Sequence, residues 1–319
     1  MDRRDFLERA TATAAGLAIS SQLPQPSSAA EAGPIPKRRL GRTGVDLSII
    51  ALGGIVVTDT EPEFARKIVA EAVDRGINYF DVAPTYGNAQ ERLGPALEPF
   101  RKNVFLACKT DKRTKDDARK ELEESLRLLR TDHVDLYQLH HLTTREEVEQ
   151  VFGPDGAMET FQAARKEGKV RFLGFSAHSV EAALLALDHF DFDTILFPIN
   201  FVLFSQAKFG PQIVAKAREK GMGILALKAM AKTVWPKNAG KHPHSKCWYS
   251  PAALPAEAAL ALRWTLSQPI TAAVPPGDEA YFRLAMDVAQ KFEPIRPEEE
   301  KTLLAGAAGQ EPIFKLGQA

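Results

Sequence analysis

The stretch "INYFDVAPTYGNAQERLG", Ile77 to Gly94, ends an apolar run on a carboxylate, Asp81, and sets a phenol, Tyr86, five residues further on. The run reads as a buried strand, and Asp81 stands where that strand gives out. Similar apolar runs lie on both sides of it. "LSIIALGG" precedes it, and "NVFLACK", "VDLYQLH", "VRFLGFS", "TILFPIN", "GILALK" and "ITAAVPP" follow. Between them are longer segments of helical spacing, such as "PEFARKIVAEAVDRG", "KDDARKELEESLRLLR" and "PQIVAKAREKG", with acids early and bases late, and with Gly closing two of the three.

Eight strand-then-helix units in series, over about 250 residues, predict a parallel eight-stranded barrel. The fold class is α/β, a (β/α)8 TIM barrel. An open doubly wound sheet would want a GxGxxG turn after its first strand, and "LGGIVVTD" lacks that spacing. No Pro/Gly/Ser linker divides the units, so residues 34–319 are expected to form a single domain. Ahead of them, "KRRLGRTGVDLS" predicts a hairpin that plugs the bottom of the barrel. After the seventh strand, "AKTVWPKNAGKHPHSKCWYSP" is long enough for a functional loop. The tail from Pro297 reads as a helix and then an extended end.

Of the 319 residues, 45% are hydrophobic and 26% charged, the composition of an ordinary globular chain. Lys+Arg and Asp+Glu are both 41, so the formal net charge is zero, and the charge balance gives no footprint for nucleic acid and no polybasic membrane patch. Two cysteines, Cys108 and Cys247, make no disulfide framework and no Cys-x-x-Cys metal spacing. Residues 1–33 read differently. Arg3-Arg4, Phe6-Leu7, a weakly apolar Ala/Thr/Gly/Leu run and a Pro/Ser stretch follow the order of an export leader, and resemble the twin-arginine type that serves proteins exported already folded. The apolar run is too short for a permanent membrane span. The leader makes the twin-arginine machinery an expected partner and the periplasm, or another exported location, the expected destination; without a working leader the chain would stay in the cytoplasm.

Active sites of such barrels collect at the C-terminal strand ends, which can be read directly. The second strand ends at Asp81, the third at Lys109, the fourth at His140, the fifth at Ser176, the sixth at Asn200 and the seventh at Lys228. Three titratable residues at successive strand ends, with Tyr86 close behind the first, suggest a proton relay. Asp81 holds the Lys109 ammonium, and the ammonium lowers the pKa of the Tyr86 phenol, giving a tyrosine able to donate a proton near neutral pH.

These segments resemble the aldo-keto reductase family. "FDVAPTYGNAQERLG" is similar to the family's Asp-x-x-x-x-Tyr-Gly segment with its following Glu and Leu-Gly, "FLACKT" to its lysine strand, "VDLYQLHH" to its histidine strand and "GKVRFLGFSAHS" to its fifth strand. The likeness runs in order from about Lys37 to about Gln290. It implies hydride transfer from a nicotinamide cofactor to the carbonyl carbon of a small molecule, with Tyr86 as proton donor, Asp81 and Lys109 tuning it, and His140 orienting the carbonyl. It also implies cofactor contacts at Gly53, Ser176, Asn200, Lys228, Gly277 and Arg283.

The chain departs from the family pattern in several places. Ala177 and His178 follow Ser176 where the family has Ser-Asn. Leu196 replaces a sixth-strand Gln, and the aromatic that stacks on the nicotinamide falls near Lys228. Asp278 stands where Ser or a base would meet a 2′-phosphate. NADP is therefore expected on the resemblance, with NAD left open by Asp278. Other readings stay in view. Lys228 at the mouth suits a Schiff base of the aldolase kind, and some family members are nucleotide-binding subunits without turnover. His242, His244 and Cys247 are close enough in sequence for a metal but lack a second cluster, so no metal is expected; Trp235, Trp248 and Tyr249 suit a substrate wall. His141 is expected to point toward the helix layer or a loop and to be structural, and Cys108 to pack against the helices.

Overall fold

All eight apolar runs supply strands of one parallel barrel in the computed structural model, which describes residues 33–236 and 242–317. The segment read as an export leader, apart from Gly33, lies outside the described residues, as do residues 237–241 of the long loop.

The chain opens with the antiparallel hairpin β1 (Lys37–Arg39) and β2 (Asp46–Ser48). Seven barrel strands follow: β3 (Leu52–Gly53), β4 (Tyr79–Asp81), β5 (Phe105–Thr110), β6 (Val134–Leu142), β7 (Val170–Ala177), β8 (Thr194–Pro198) and β9 (Gly223–Leu227). A second hairpin, β10 (Ala231–Val234) and β11 (Tyr249–Pro251), occupies the long loop, and β12 (Ala272–Val274) is the eighth barrel strand. Neighbouring strands pair in parallel from β3 to β9 and on to β12. Closure comes from Ala51 N–H to Ala273 O and Ala273 N–H to Ile49 O, both 2.9 Å. The run "LSIIALGG" is thus shared between two structures: Ser48 pairs in the first hairpin, and only the residues from Ile49 onward reach the barrel.

Helices cover the outside for a reason visible in each. In the helix Pro62–Asp74, Pro62 pre-sets the first turn, and Ala65, Ile68, Val69 and Ala72 recur at helical spacing on the buried face. Burying Ile68 and Val69 contributes about 1.5–3 kcal/mol each. The chain leaves the helix through Gly76, whose φ of +95° favours glycine.

The barrel interior is a separate small core. Leu40 and Leu47 of the first hairpin pack beneath Tyr79, Phe105, Ala107, Leu136, Leu196 and Leu225, so the hairpin does plug the bottom. The larger core lies between barrel and helices, and Cys108 belongs to it.

The Leu93-Gly94 pair has a packing explanation. The helix Ala89–Leu97 runs against the end of the helix Lys115–Leu128, and a methyl group at Gly94 would sit 2.8 Å from Leu129 Cα and against the Leu128 carbonyl. Gly94→Ala is therefore expected to cost about 1–3 kcal/mol through overpacking, read as a lower urea midpoint. An unchanged midpoint would contradict this close approach.

Candidate active site

Parallel register sets Asp81 opposite Ala107 and Lys109 opposite Gln138. Ala107 and Lys109 share a face of β5, so Asp81, Lys109 and Gln138 meet in one layer at the top of the barrel. Lys109 Nζ donates to Asp81 Oδ1 and, at 3.2 Å, to the Val82 carbonyl. Asp81 Oδ2 accepts from Tyr79 Oη and Gln138 Nε2, each at 3.2 Å. Both charged groups are buried, Lys109 completely. Burial works against the Lys109 ammonium, but Asp81 and Tyr86 outweigh it and hold its pKa above the ordinary lysine value. Tyr79 was not singled out in the sequence, although it lies two residues before Asp81 on the same strand face.

Tyr86 lies on the loop after β4, its ring centroid 5.0 Å from Lys109 Nζ. His140, near the end of β6, meets that ring edge-on, with centroids 5.7 Å apart. The four residues read as catalytic are thus brought together. The tuning differs from the sequence expectation. Burial pushes the Tyr86 phenol above its ordinary value, and Lys109 pulls it down without overcoming the burial. His140 is held far below the usual imidazole range, first by burial and then by the charge of Lys109, so its ring is neutral.

His141 does not face the helix layer. Its φ of +43° and a register shift between Leu139 and Leu142 break the strand's alternation. The ring stands between His140, at 4.6 Å, and His178, at 6.1 Å. Burial pulls His178 down to about 3, so this ring is neutral too.

A cleft of about 170 Å³ opens beside the relay, with Gly53, Asp81, Tyr86, Lys228 and Gly277 in its wall. Leu196, in place of a Gln, also lines it. Ser176 and Asn200 are buried and serve the backbone. Ser176 Oγ accepts from His141 N–H at 2.7 Å, and Asn200 Oδ1 caps the helix Phe201–Gln206 through Leu203 N–H at 2.9 Å. Arg283, on the helix Glu279–Gln290, is paired with Glu71 and, at 3.0 Å, with Glu279. With His244 and Tyr281 it lines a second cleft of about 390 Å³.

The long loop connects the two clefts. His244 Nδ1 lies 3.1 Å from Asp278 Oδ2, while Asp278 Oδ1 caps the helix Glu279–Gln290 through Ala280 and Tyr281 N–H. The Asp278 carboxylate is therefore engaged on both oxygens. Lys246, which nothing in the sequence spacing marked, donates to Val56 O at 2.8 Å and lines the first cleft. His242 stacks on Trp235, and Trp235 Nε1 donates to Cys247 O at 2.8 Å. Among the described residues no group of three or more His, Cys, Asp or Glu is placed to hold a metal ion, and no helix is long and apolar enough to cross a membrane.

Residues 50–251, more than half of the chain, match the model of the Aldo/keto reductase family. The chain belongs to that family. Among curated proteins it is similar to the uncharacterized oxidoreductase YrpG of Bacillus subtilis, at 29% identity over 60% of this chain and 65% of that protein. It is also similar to L-galactose dehydrogenase of Arabidopsis thaliana, at 26% over 62% of this chain and 66% of that one. The 6-dehydroglucose reductase of Novosphingobium aromaticivorans matches at 32% over 49% and 57%. These matches, with that to YqkF of Bacillus subtilis, span about half to two thirds of the relatives' lengths. An aldo-keto reductase from Bacillus halodurans, solved in holo form, superposes with a TM-score of 0.68 at 22% identity, covering 88% of this chain and 98% of that one; the likeness is one of fold.

Removing one partner of the buried pair leaves the other charge uncompensated. Lys109→Met is expected to lose about 3–5 kcal/mol of stability by chemical denaturation, and adding Asp81→Leu to recover a substantial part. A double variant no more stable than the single one would show that the pair does not carry this cost.

Proposed function

We propose that this aldo-keto reductase converts an aldehyde or ketone to an alcohol with NAD(P)H, and that Tyr86 supplies the proton. The observation that carries this reading is the convergence of Tyr86, Lys109, Asp81 and His140 beside one cleft. When bound, the nicotinamide supplies the hydride, the chemistry that no side chain here could provide. The chain's residues do the rest. The neutral His140 ring can donate a hydrogen bond to a carbonyl oxygen and orient it. Tyr86, kept protonated by burial, gives its proton to that oxygen as negative charge develops. The Lys109 ammonium, fixed by Asp81, stabilises the phenolate left behind and keeps this charge inside the barrel.

Several features suit a dinucleotide. The two clefts lie on either side of the Gly277-Asp278 turn, and the first has Lys228 and Lys246 in its wall. Gly53 and Gly277 would hold it on the side of Tyr86, and Arg283 with His244 at the other end. With Asp278 tied to the helix and to His244, its carboxylate is turned from the role of repelling a 2′-phosphate, which supports NADP while leaving NAD open. The names of two relatives, L-galactose dehydrogenase and 6-dehydroglucose reductase, support a sugar-derived substrate. The Arg3-Arg4 leader supports export of the folded, cofactor-loaded chain.

A second reading draws on Lys228, which burial pulls down to about 8 and so toward a nucleophilic free amine. Borohydride trapping of a carbonyl compound on Lys228 would favour that Schiff-base chemistry.

Tyr86→Phe is expected to lower carbonyl-dependent oxidation of NADPH or NADH by about 1,000-fold. Dinucleotide affinity, read by fluorescence titration, should stay within a few fold. Turnover kept by this variant would remove Tyr86 from the mechanism. The pH profile gives an independent check. Because Tyr86 lies above its ordinary value and His140 far below its own, kcat/KM for a neutral carbonyl compound should show no loss from either group between pH 6 and about 9. A Tyr86-dependent fall near pH 7 would contradict a phenol raised by burial.

A further inference from the structure

Lys228 stands out among the charged groups of the first cleft. It directly follows β9, the seventh barrel strand, with a φ of +65°, a left-handed conformation that a lysine adopts only under strain, and strain of this kind concentrates at functional positions. Its carbonyl is held by Asn200 Nδ2 at 3.2 Å and Ala231 N–H at 2.9 Å, which fixes the backbone in that state. The ammonium then rests against two aromatic faces of the long loop, 4.9 Å from the Trp248 ring centroid and 5.4 Å from that of Tyr249.

Charge bookkeeping separates it from its neighbours. Lys109 is matched by Asp81. Lys246, at the rim, bonds to Val56 O and has Asp59, Asp278 and Glu279 close by. Among the described residues the Lys228 ammonium has neither a carboxylate partner nor a hydrogen-bond acceptor, and its charged neighbour in the barrel is the like-charged Lys109. Lys228 is half-buried and opens onto the cleft, so its charge, unmatched by a carboxylate among the described residues, is met there by whatever enters, and an anionic oxygen group would complete the pair. Tyr86 lines the same small cleft, so whatever anion meets Lys228 shares about 170 Å³ with the group that would protonate a carbonyl oxygen. An anionic group at Lys228 and a carbonyl oxygen at Tyr86 are then close enough to belong to one small molecule.

We propose that Lys228, backed by Trp248 and Tyr249, receives a carboxylate carried by the carbonyl substrate, so that the cleft selects small acidic aldehydes or ketones. The inference rests on the reductase reading and adds a substrate class to it. The same chemistry would bind a cofactor phosphate, and the test separates the two sources.

The experiment compares succinic semialdehyde with its neutral methyl ester, using the full chain with NADPH and with NADH. The wild type is expected to favour the semialdehyde in kcat/KM. Lys228→Met should lower the semialdehyde-to-ester ratio by about 100-fold, and Lys228→Arg should keep part of it. No wild-type preference, or an equal fall for both aldehydes with weaker dinucleotide binding, would overturn the proposal; the second result would assign Lys228 to the cofactor phosphates. Turnover of the ester by the wild type stands as the separate check on the reductase reading. If neither aldehyde is reduced, that reading fails, and the anion site is judged by Trp248 fluorescence. Saturable quenching by succinate that Lys228→Met abolishes would support the site, and no quenching, or quenching by inorganic pyrophosphate in preference to succinate, would overturn it.

Discussion

The ion pair between Asp81 and Lys109 is the constraint around which the upper barrel is organised. A buried ammonium and a buried carboxylate tolerate each other only with their remaining hydrogen-bonding capacity met. Tyr79, Gln138 and the Val82 carbonyl meet it, and they come from β4, from β6 and from the loop after β4. The pair therefore ties adjacent strands together at the level where the apolar interior stops. Below it Leu136, Ala107 and Leu225 fill the barrel, and above it the chain can place polar groups. Tyr86 and His140 take their environment from this pair, Tyr86 through the ammonium beside its ring and His140 through the same charge acting on a desolvated imidazole.

Much of this was legible in the sequence because barrel strands write their geometry locally. Each strand is a short apolar run, its last polar residue marks the mouth, and alternation decides which side chain faces in. Asp81, Lys109 and His140 follow from those rules, and Leu40 and Leu47 fill the position foreseen for a plug. What escaped notice depends on long-range balance or local backbone irregularity. The pKa of Tyr86 is set by how completely the phenol is desolvated, which no spacing reveals. His141 turns toward the mouth because of a positive φ and a register shift, where strict alternation would have put it outside. Ser176 and Asn200 were found at their strand ends, but their side chains are committed to His141 N–H and Leu203 N–H.

The long loop illustrates the same limit. Its length and aromatic content marked it as functional, yet its partners lie far away in sequence: Val56 for Lys246, Asp278 for His244 and Lys228 for Trp248. These contacts lay one segment across both clefts. Of the residues that differ from the pattern the resemblance implies, Leu196 and Lys228 line the first cleft and Asp278 touches His244 of the second, while Asp81, Tyr86, Lys109 and His140 keep it.

The plug at the bottom of the barrel carries a consequence for how the chain acquires its shape. Arg39 O accepts from Thr271 Oγ1, and Arg38 donates to Leu266 O, contacts that join residues more than 220 positions apart. The hairpin of β1 and β2 is thus seated against the segment that leads into β12, which is made much later. Contacts of such long separation give a high contact order, and the entropy of closing so large a loop is repaid only when β12 arrives. Folding of this barrel should be a late and slow event, with its floor left open until β12 has been synthesised.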